Sequence, residues 1–201
     1  MGKNLSNAVS LHRDLVSLCE NNMHSIGIQL VWGITLVFAA GAALLDGRTR
    51  RIPNWLTVSG FLAGMLVHAA LGGWLGLLIA LEGAGLGLAI LLPLVFLRAL
   101  GAGDWKLIGA LGALVGPQML WFVLFASVLV AGLMALFLIV RARRVRETIH
   151  NVGLIIMGLF TLTAHPEISL DNPGLLKLPF GVAAALGTLL CFVAAHWHLG
   201  I

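Results

Sequence analysis

The longest uncharged stretch of the chain runs for 34 residues, from Leu107 to Val140. As one straight helix it would measure about 51 Å, whereas the hydrocarbon core of a bilayer is about 30 Å thick. The Gly116-Pro117 pair inside it predicts a break, because proline removes a backbone donor and glycine permits unusual dihedral angles. The stretch therefore predicts two membrane segments, at about 104–119 and 120–140.

Further apolar runs predict more segments. They lie at 26–45, 55–71 (which ends at the Gly72-Gly73 turn), 74–97 and 178–197. Only 10% of the residues are charged and the mean hydropathy is +1.03, whereas soluble domains carry about 25% charged residues. We therefore expect an all-α polytopic membrane protein with about six transmembrane helices. Residues 1–25 are polar and form an N-terminal segment, and 26–201 form the membrane-embedded domain.

The basic residues indicate an orientation. With this layout, ten of the 12 lysines and arginines lie in the loops 46–54, 98–106 and 141–177. Positively charged loops stay in the cytoplasm, so we expect these loops to be cytoplasmic. The net charge of +4 is explained by them, and nucleic-acid binding is not indicated. The apolar segment 151–164 is too short to span comfortably, and we expect it to be interfacial or re-entrant.

Two aspartates stand where the predicted segments meet water. Asp46 opens the sequence DGRTRRIPN, and Asp104 lies in GAGDWK. An ionisable group at this depth is costly, which makes it a functional candidate. Two carboxyl groups held close together do not both ionise easily, so the pair can act as base and acid on a water molecule and a peptide carbonyl. The pattern predicts an aspartic peptidase, and helix-end electrostatics favour Asp104 as its base and Asp46 as its acid.

Residues beside the aspartates form a candidate supporting set. Gly101 and Gly103 have no Cβ, so backbone or substrate can come close to them. Pro53 stiffens the first loop and begins the next segment, and Asn54 follows it. Lys106 is either an interface anchor or a neighbour of the substrate.

Other polar residues leave an alternative open. Glu82 and His68 lie within predicted segments, where they form either a structural pair or part of a proton path. A small transporter or channel with Asp46, Asp104 and Glu82 as a proton or cation relay is therefore the alternative function. No metal site or cofactor is predicted from the remaining candidate ligands, which are Cys19, Cys191, His196 and His198.

Taken together, the motifs resemble the type IV prepilin peptidase family. An aspartate stands six residues before I-P-N, and G-x-G-D-x-K-L begins a later segment, as in other GxGD membrane aspartic peptidases. The stretch LPFG, at 178–181, is similar to a motif of the family's last segment. The resemblance covers about 46–195 and implies that Asp46 and Asp104 are the catalytic residues.

The resemblance also implies a substrate and a location. The chain lacks the cytoplasmic insertion with paired cysteines of the longer bifunctional members, so it resembles the short, peptidase-only form of tight-adherence (Flp) pilus systems. The implied substrate is a prepilin or pseudopilin precursor with a basic leader, a glycine before the cut and a hydrophobic helix after it. The implied site is the cytoplasmic face of the bacterial inner membrane. A catalytically inactive relative that only binds pilins remains a further alternative.

Overall fold

A computed structural model describes residues 2–96, 100–141 and 179–199, with side chains described for 26–96, 100–141 and 179–197. It contains four α-helices: α1 (Gly2–Thr49), α2 (Asn54–Phe96), α3 (Ala102–Arg141) and α4 (Phe180–Leu199). In this described part, four helices are long and apolar enough to cross a membrane. The all-helical membrane fold is confirmed, but the predicted count of about six is not. The segment 151–164, predicted to be interfacial or re-entrant, lies outside the described residues.

Helix α1 begins earlier than the sequence predicted. Its backbone is helical from Gly2, and the part that is apolar enough to span is Ile26–Thr49. The polar N-terminal residues therefore continue directly into the first membrane helix. At the other end, Asp46 lies inside the last turn of α1 rather than after it.

Helices α2 and α3 are each interrupted at a glycine. At 43 residues, α2 would be about 65 Å long if it were straight, which is twice the hydrocarbon thickness. Its backbone leaves the helical region at Gly73, with φ 57° and ψ −137°. Helix α3 breaks at Gly116, with φ 76° and ψ 169°, immediately before Pro117. Both predicted turns are confirmed, and both need a positive φ that glycine adopts without strain.

The interruption in α2 folds the helix back on itself. At its beginning, Asn54 accepts a hydrogen bond from the Lys106 side chain. Near its other end, the Leu88 carbonyl accepts a hydrogen bond from Trp105. Both ends of α2 therefore lie beside the start of α3, so the chain reverses direction around Gly73.

The first half of α3 forms the centre of the bundle. Every residue from Leu107 to Gly116 is buried. Glycines of α2 allow this close packing: a Cβ at Gly64 would lie 2.6 Å from the Ala113 backbone, and one at Gly87 would lie 2.8 Å from the Ile108 carbonyl oxygen. Small residues of this kind let membrane helices approach closely. The segment 107–116, only about 15 Å long, is thus enclosed by protein rather than by lipid.

A histidine of α2 forms a hydrogen bond with α3 beside its break. His68 Nε2 lies 2.9 Å from the Leu114 carbonyl oxygen. That carbonyl is in the last turn before Gly116, where helix carbonyls lose their usual partners. The predicted pairing of His68 with Glu82 is wrong, because His68 is engaged here and the Glu82 side chain is exposed.

Helix α4 runs antiparallel to α1. The rings of Trp32 and Phe192 lie 5.8 Å apart at one end of this pair, and Asp46 meets Gly181 at the other. The second half of α3 packs on α4 where Ser127 faces Gly187. This arrangement brings the end of α1 and the start of α4 to the end of the bundle where α2 and α3 begin.

Candidate active site

Asp46 is held between two helices. Its carbonyl oxygen accepts a hydrogen bond of 2.8 Å from the Arg50 amide, which ends α1. Its carboxyl atom Oδ2 accepts a hydrogen bond of 2.7 Å from the Gly181 amide in the first turn of α4. Only 5% of the residue is exposed. The Asp46 carboxyl group is therefore fixed by contacts from both α1 and α4.

The start of α4 gives Asp46 a second helix-end environment. The amides of Val182 and Ala183 both donate to the Pro179 carbonyl, which defines the first turn of this helix. Helix N-termini carry a partial positive charge. The sequence argument placed Asp46 only at the C-terminus of α1, so it missed this contact. Both carboxyl groups therefore lie at a helix N-terminus. Helix-end electrostatics no longer support the prediction that Asp104 is the base and Asp46 the acid.

Asp104 lies in the first turn of α3. The Trp105 amide donates to the Gly101 carbonyl at 3.1 Å, and the Asp104 carboxyl group accepts a hydrogen bond from the Gly101 amide. An acidic side chain that reaches back to the first amide of its own helix is half of a capping box. The conformation of Asp104 is thus set by the beginning of the helix that carries it.

The two carboxyl groups lie at the same end of the bundle. They are close enough for the charge of Asp46 to act on Asp104. Asp46 is buried and Asp104 is partly exposed, so the site is open on the Asp104 side. A pair of this kind can hold one proton between its members and exchange it with a bound water or carbonyl.

The predicted supporting residues lie at the starts of α2 and α3. Gly103 packs on Ile52, and a Cβ at Gly103 would lie 3.4 Å from the Ile52 Cβ. The Pro53 carbonyl accepts a hydrogen bond of 3.1 Å from the Leu56 amide and so begins α2. Lys106 and Asn54, both exposed, are joined by a hydrogen bond of 3.0 Å between Nζ and Oδ1. This bond ties the start of α3 to the start of α2.

Sequence reasoning missed two contacts at the site. Trp105 Nε1 donates to the Leu88 carbonyl at 2.7 Å and attaches the start of α3 to α2. The only signal for it was a tryptophan next to Asp104. The second contact is the hydrogen bond from the Gly181 amide to Asp46. The sequence indicated the position of this glycine only through the LPFG motif.

No metal-ligating cluster of three or more His, Cys, Asp or Glu residues exists in the part of the chain that the structure describes. His196 stacks on Phe192, with ring centroids 6.0 Å apart. The side chain of His198 is outside the described residues. Glu82, the third member of the alternative relay, is exposed on α2.

The fold and the site define a helical membrane protein with two neighbouring carboxyl groups at one end of its bundle. A family model described as the type IV leader peptidase family matches residues 33–136, more than half of the chain, including both aspartates. The chain belongs to this family, which identifies it as a membrane protease of the leader-peptidase kind. No match is found among curated proteins or solved structures. The relay alternative is not favoured.

Proposed function

We propose that the protein is an aspartic endopeptidase of the GxGD type, with Asp46 and Asp104 as its catalytic pair. The observation that carries this proposal is the position of the two aspartates at the same end of the bundle, where the charge of Asp46 acts on Asp104, in a chain of the type IV leader peptidase family. Each carboxyl group is fixed by a glycine amide, from Gly181 for Asp46 and from Gly101 for Asp104. Such fixed geometry is what acid–base catalysis requires.

The proposed reaction needs one proton shared between the two carboxyl groups. The ionised group takes a proton from a water molecule as the water oxygen attacks the carbonyl carbon of the scissile peptide bond. The protonated group gives its proton to the carbonyl oxygen, and a tetrahedral diol forms. Its collapse breaks the C–N bond: one diol hydroxyl returns its proton to the ionised carboxylate, while the other, protonated carboxyl group gives its proton to the leaving nitrogen. One proton then remains on the pair, so the shared-proton state is restored.

The supporting residues fit this chemistry. The missing side chain at Gly101, where a Cβ would lie 3.2 Å from Asp104 Oδ2, leaves room beside Asp104, and Gly103 lets Ile52 pack against the start of α3. Lys106 and Asn54 fix the start of α3 relative to α2 at the exposed side of the site. Pro53 begins α2 and holds the loop that precedes it.

The proposed substrate is a prepilin or pseudopilin precursor of the Flp type, cut between its basic leader and its hydrophobic helix. We place the site at the cytoplasmic face of the bacterial inner membrane. In this arrangement the two halves of α2 and of α3 cross separately, which gives six crossings with α1 and α4. The basic loops then face the anionic lipid of the inner leaflet, and the substrate helix lies in the bilayer.

A cleavage assay with matched substrates tests the substrate class. Purified protein in lipid nanodiscs is mixed with a Flp-type precursor, and the new N-terminus is identified by mass spectrometry. We expect a cut after the glycine that ends the leader, and loss of the cut when that glycine is replaced by leucine. Cleavage that ignores this glycine would contradict the proposed substrate.

Cysteine labelling tests the orientation. A single cysteine is introduced at Ala102, an exposed residue beside the site, in a protein whose two native cysteines are replaced by serine. We expect a membrane-impermeant maleimide to label it in inverted vesicles but not in intact cells. Labelling in intact cells alone would place the site on the opposite face.

A further inference from the structure

The contact between α1 and α4 requires a glycine at position 181. A Cβ added to Gly181 would lie 2.9 Å from both Cβ and Oδ2 of Asp46. Real Cβ atoms do not approach other heavy atoms so closely, so any larger residue must move the Asp46 side chain or separate the helices. This residue also lies outside the range 33–136 that the family model matches.

The Gly181 amide is available for Asp46 because of its place in α4. The first amides of a helix have no partner within the helix. Those of Val182 and Ala183 lie 3.2 and 3.4 Å from the Pro179 carbonyl. The Gly181 amide donates to Asp46 Oδ2 at 2.7 Å, and the Val182 amide also acts on this carboxyl group. The bond is buried on both sides, so water does not compete with it.

We propose that Gly181 is a positioning residue that sets the Asp46 carboxyl group for catalysis. Its amide holds Oδ2 at 2.7 Å and so fixes the orientation in which the Asp46 carboxyl group exchanges protons with water, substrate and Asp104. Gly101 serves Asp104 in the same way from the start of α3. This inference rests on the proposed function and adds α4 to the elements that build the site.

Three glycine variants test the role. Gly181→Ala displaces Asp46. Gly47→Ala is a control at the same helix pair, because its Cβ would lie at an ordinary 3.9 Å from Val182. Gly187→Ala is a packing control, because its Cβ would lie 2.6 Å from the Ser127 nitrogen, away from the carboxyl groups. Cleavage of the precursor is measured for kcat and KM, and thermal unfolding is measured alongside.

For Gly181→Ala we expect kcat to fall about 10- to 100-fold with little change in KM, since a displacement of about 1 Å can cost that much. Gly47→Ala should keep the wild-type kcat. Gly187→Ala should lower the melting temperature while its folded fraction keeps kcat. A wild-type kcat in folded Gly181→Ala, or an equal loss in Gly187→Ala, would overturn the positioning role.

A second measurement leaves Gly181 unchanged and therefore does not depend on the folding of its variant. Phe180-Gly181 is the only Phe-Gly pair in the sequence. Labelling Phe with ¹³C at the carbonyl and Gly with ¹⁵N thus selects one amide signal by NMR. We expect its proton resonance to move upfield in Asp46→Ala, and to move less in Asp104→Ala, because only Asp46→Ala removes the acceptor of the hydrogen bond. An unmoved signal in Asp46→Ala would overturn the hydrogen bond.

Asp46→Asn, assayed for cleavage in the same series, separates the two proposals. If Asp46→Asn is inactive while Gly181→Ala is fully active, the peptidase function stands and the positioning role is refuted. If Asp46→Asn still cleaves at the wild-type rate, the proposed function fails, and the positioning role fails with it.

Discussion

Replacing His68 tests how the central segment of the bundle is held. Its Nε2 donates to the Leu114 carbonyl, because a carbonyl can only accept, and Leu114 is 1% exposed. The substitution His68→Leu keeps an apolar side chain of similar size but removes the donor. A buried carbonyl without a partner costs about 1–3 kcal/mol, although side-chain bonds between membrane helices average about 0.6 kcal/mol with a maximum near 1.7.

We expect His68→Leu to lower the free energy of unfolding by about 1–2 kcal/mol, which is about a 5- to 30-fold change in the unfolding equilibrium. The Leu114 carbonyl lies at a helix break, so no amide of its own helix can replace His68 as its donor. We therefore expect a cost above the average for side-chain hydrogen bonds between membrane helices. His68→Gln supplies an amide donor of similar reach and should recover at least half of the loss.

The assay is equilibrium unfolding in mixed micelles with increasing SDS, followed by circular dichroism. Gly33→Ala, at a position where an added Cβ meets nothing within 4 Å, is the control for substitution itself. If His68→Leu unfolds at the wild-type SDS fraction, the bond does not hold the segment. If His68→Gln is as unstable as His68→Leu, the loss comes from packing and the hydrogen-bond argument is refuted.

Three further variants test the helix packing and the alternative function as a proton or cation relay. Gly64→Ala should destabilise the bundle by about 1–3 kcal/mol through overpacking, measured by the same unfolding assay; an effect as small as that of Gly33→Ala would contradict the close contact. Trp105→Phe removes the bond to Leu88 and should cost about 1 kcal/mol while lowering the cleavage rate; an unchanged stability would show that the bond contributes nothing. Glu82→Gln should leave precursor cleavage within about twofold of wild type, because its side chain is exposed on α2; a large loss in cleavage, by contrast, would revive the proton-path alternative.

Much of the fold was predictable from length and hydropathy. The runs of apolar residues predicted the helices, and the Gly72-Gly73 pair predicted the turn at Gly73. The break at Gly116 followed from the mismatch between helix length and bilayer thickness. The sequence did not reveal that 107–116 is enclosed by protein. That enclosure depends on glycines of α2 which meet α3 only after the chain reverses, and no local pattern reports such a contact.

The site, like the fold, was predictable from the sequence only in part. The aspartates stood out because charges are rare in this chain, and the structure places Asp46 and Asp104 at the same end of the bundle, where the charge of Asp46 acts on Asp104. The pairing of His68 with Glu82 was wrong because a residue's depth in the membrane does not tell which side of its helix faces the bundle. The Gly181 contact was out of reach for local reasoning, since 135 residues separate its two partners.

The most direct test of the two-carboxyl mechanism is cleavage of a pilin precursor by wild type, Asp46→Asn and Asp104→Asn. All three proteins are reconstituted in the same lipid, and their folding is matched by circular dichroism. We predict cleavage by the wild type and loss of at least about 10³-fold in each variant, because each removes a proton-transfer group. If either folded variant cuts at near the wild-type rate, the two-aspartate mechanism is contradicted.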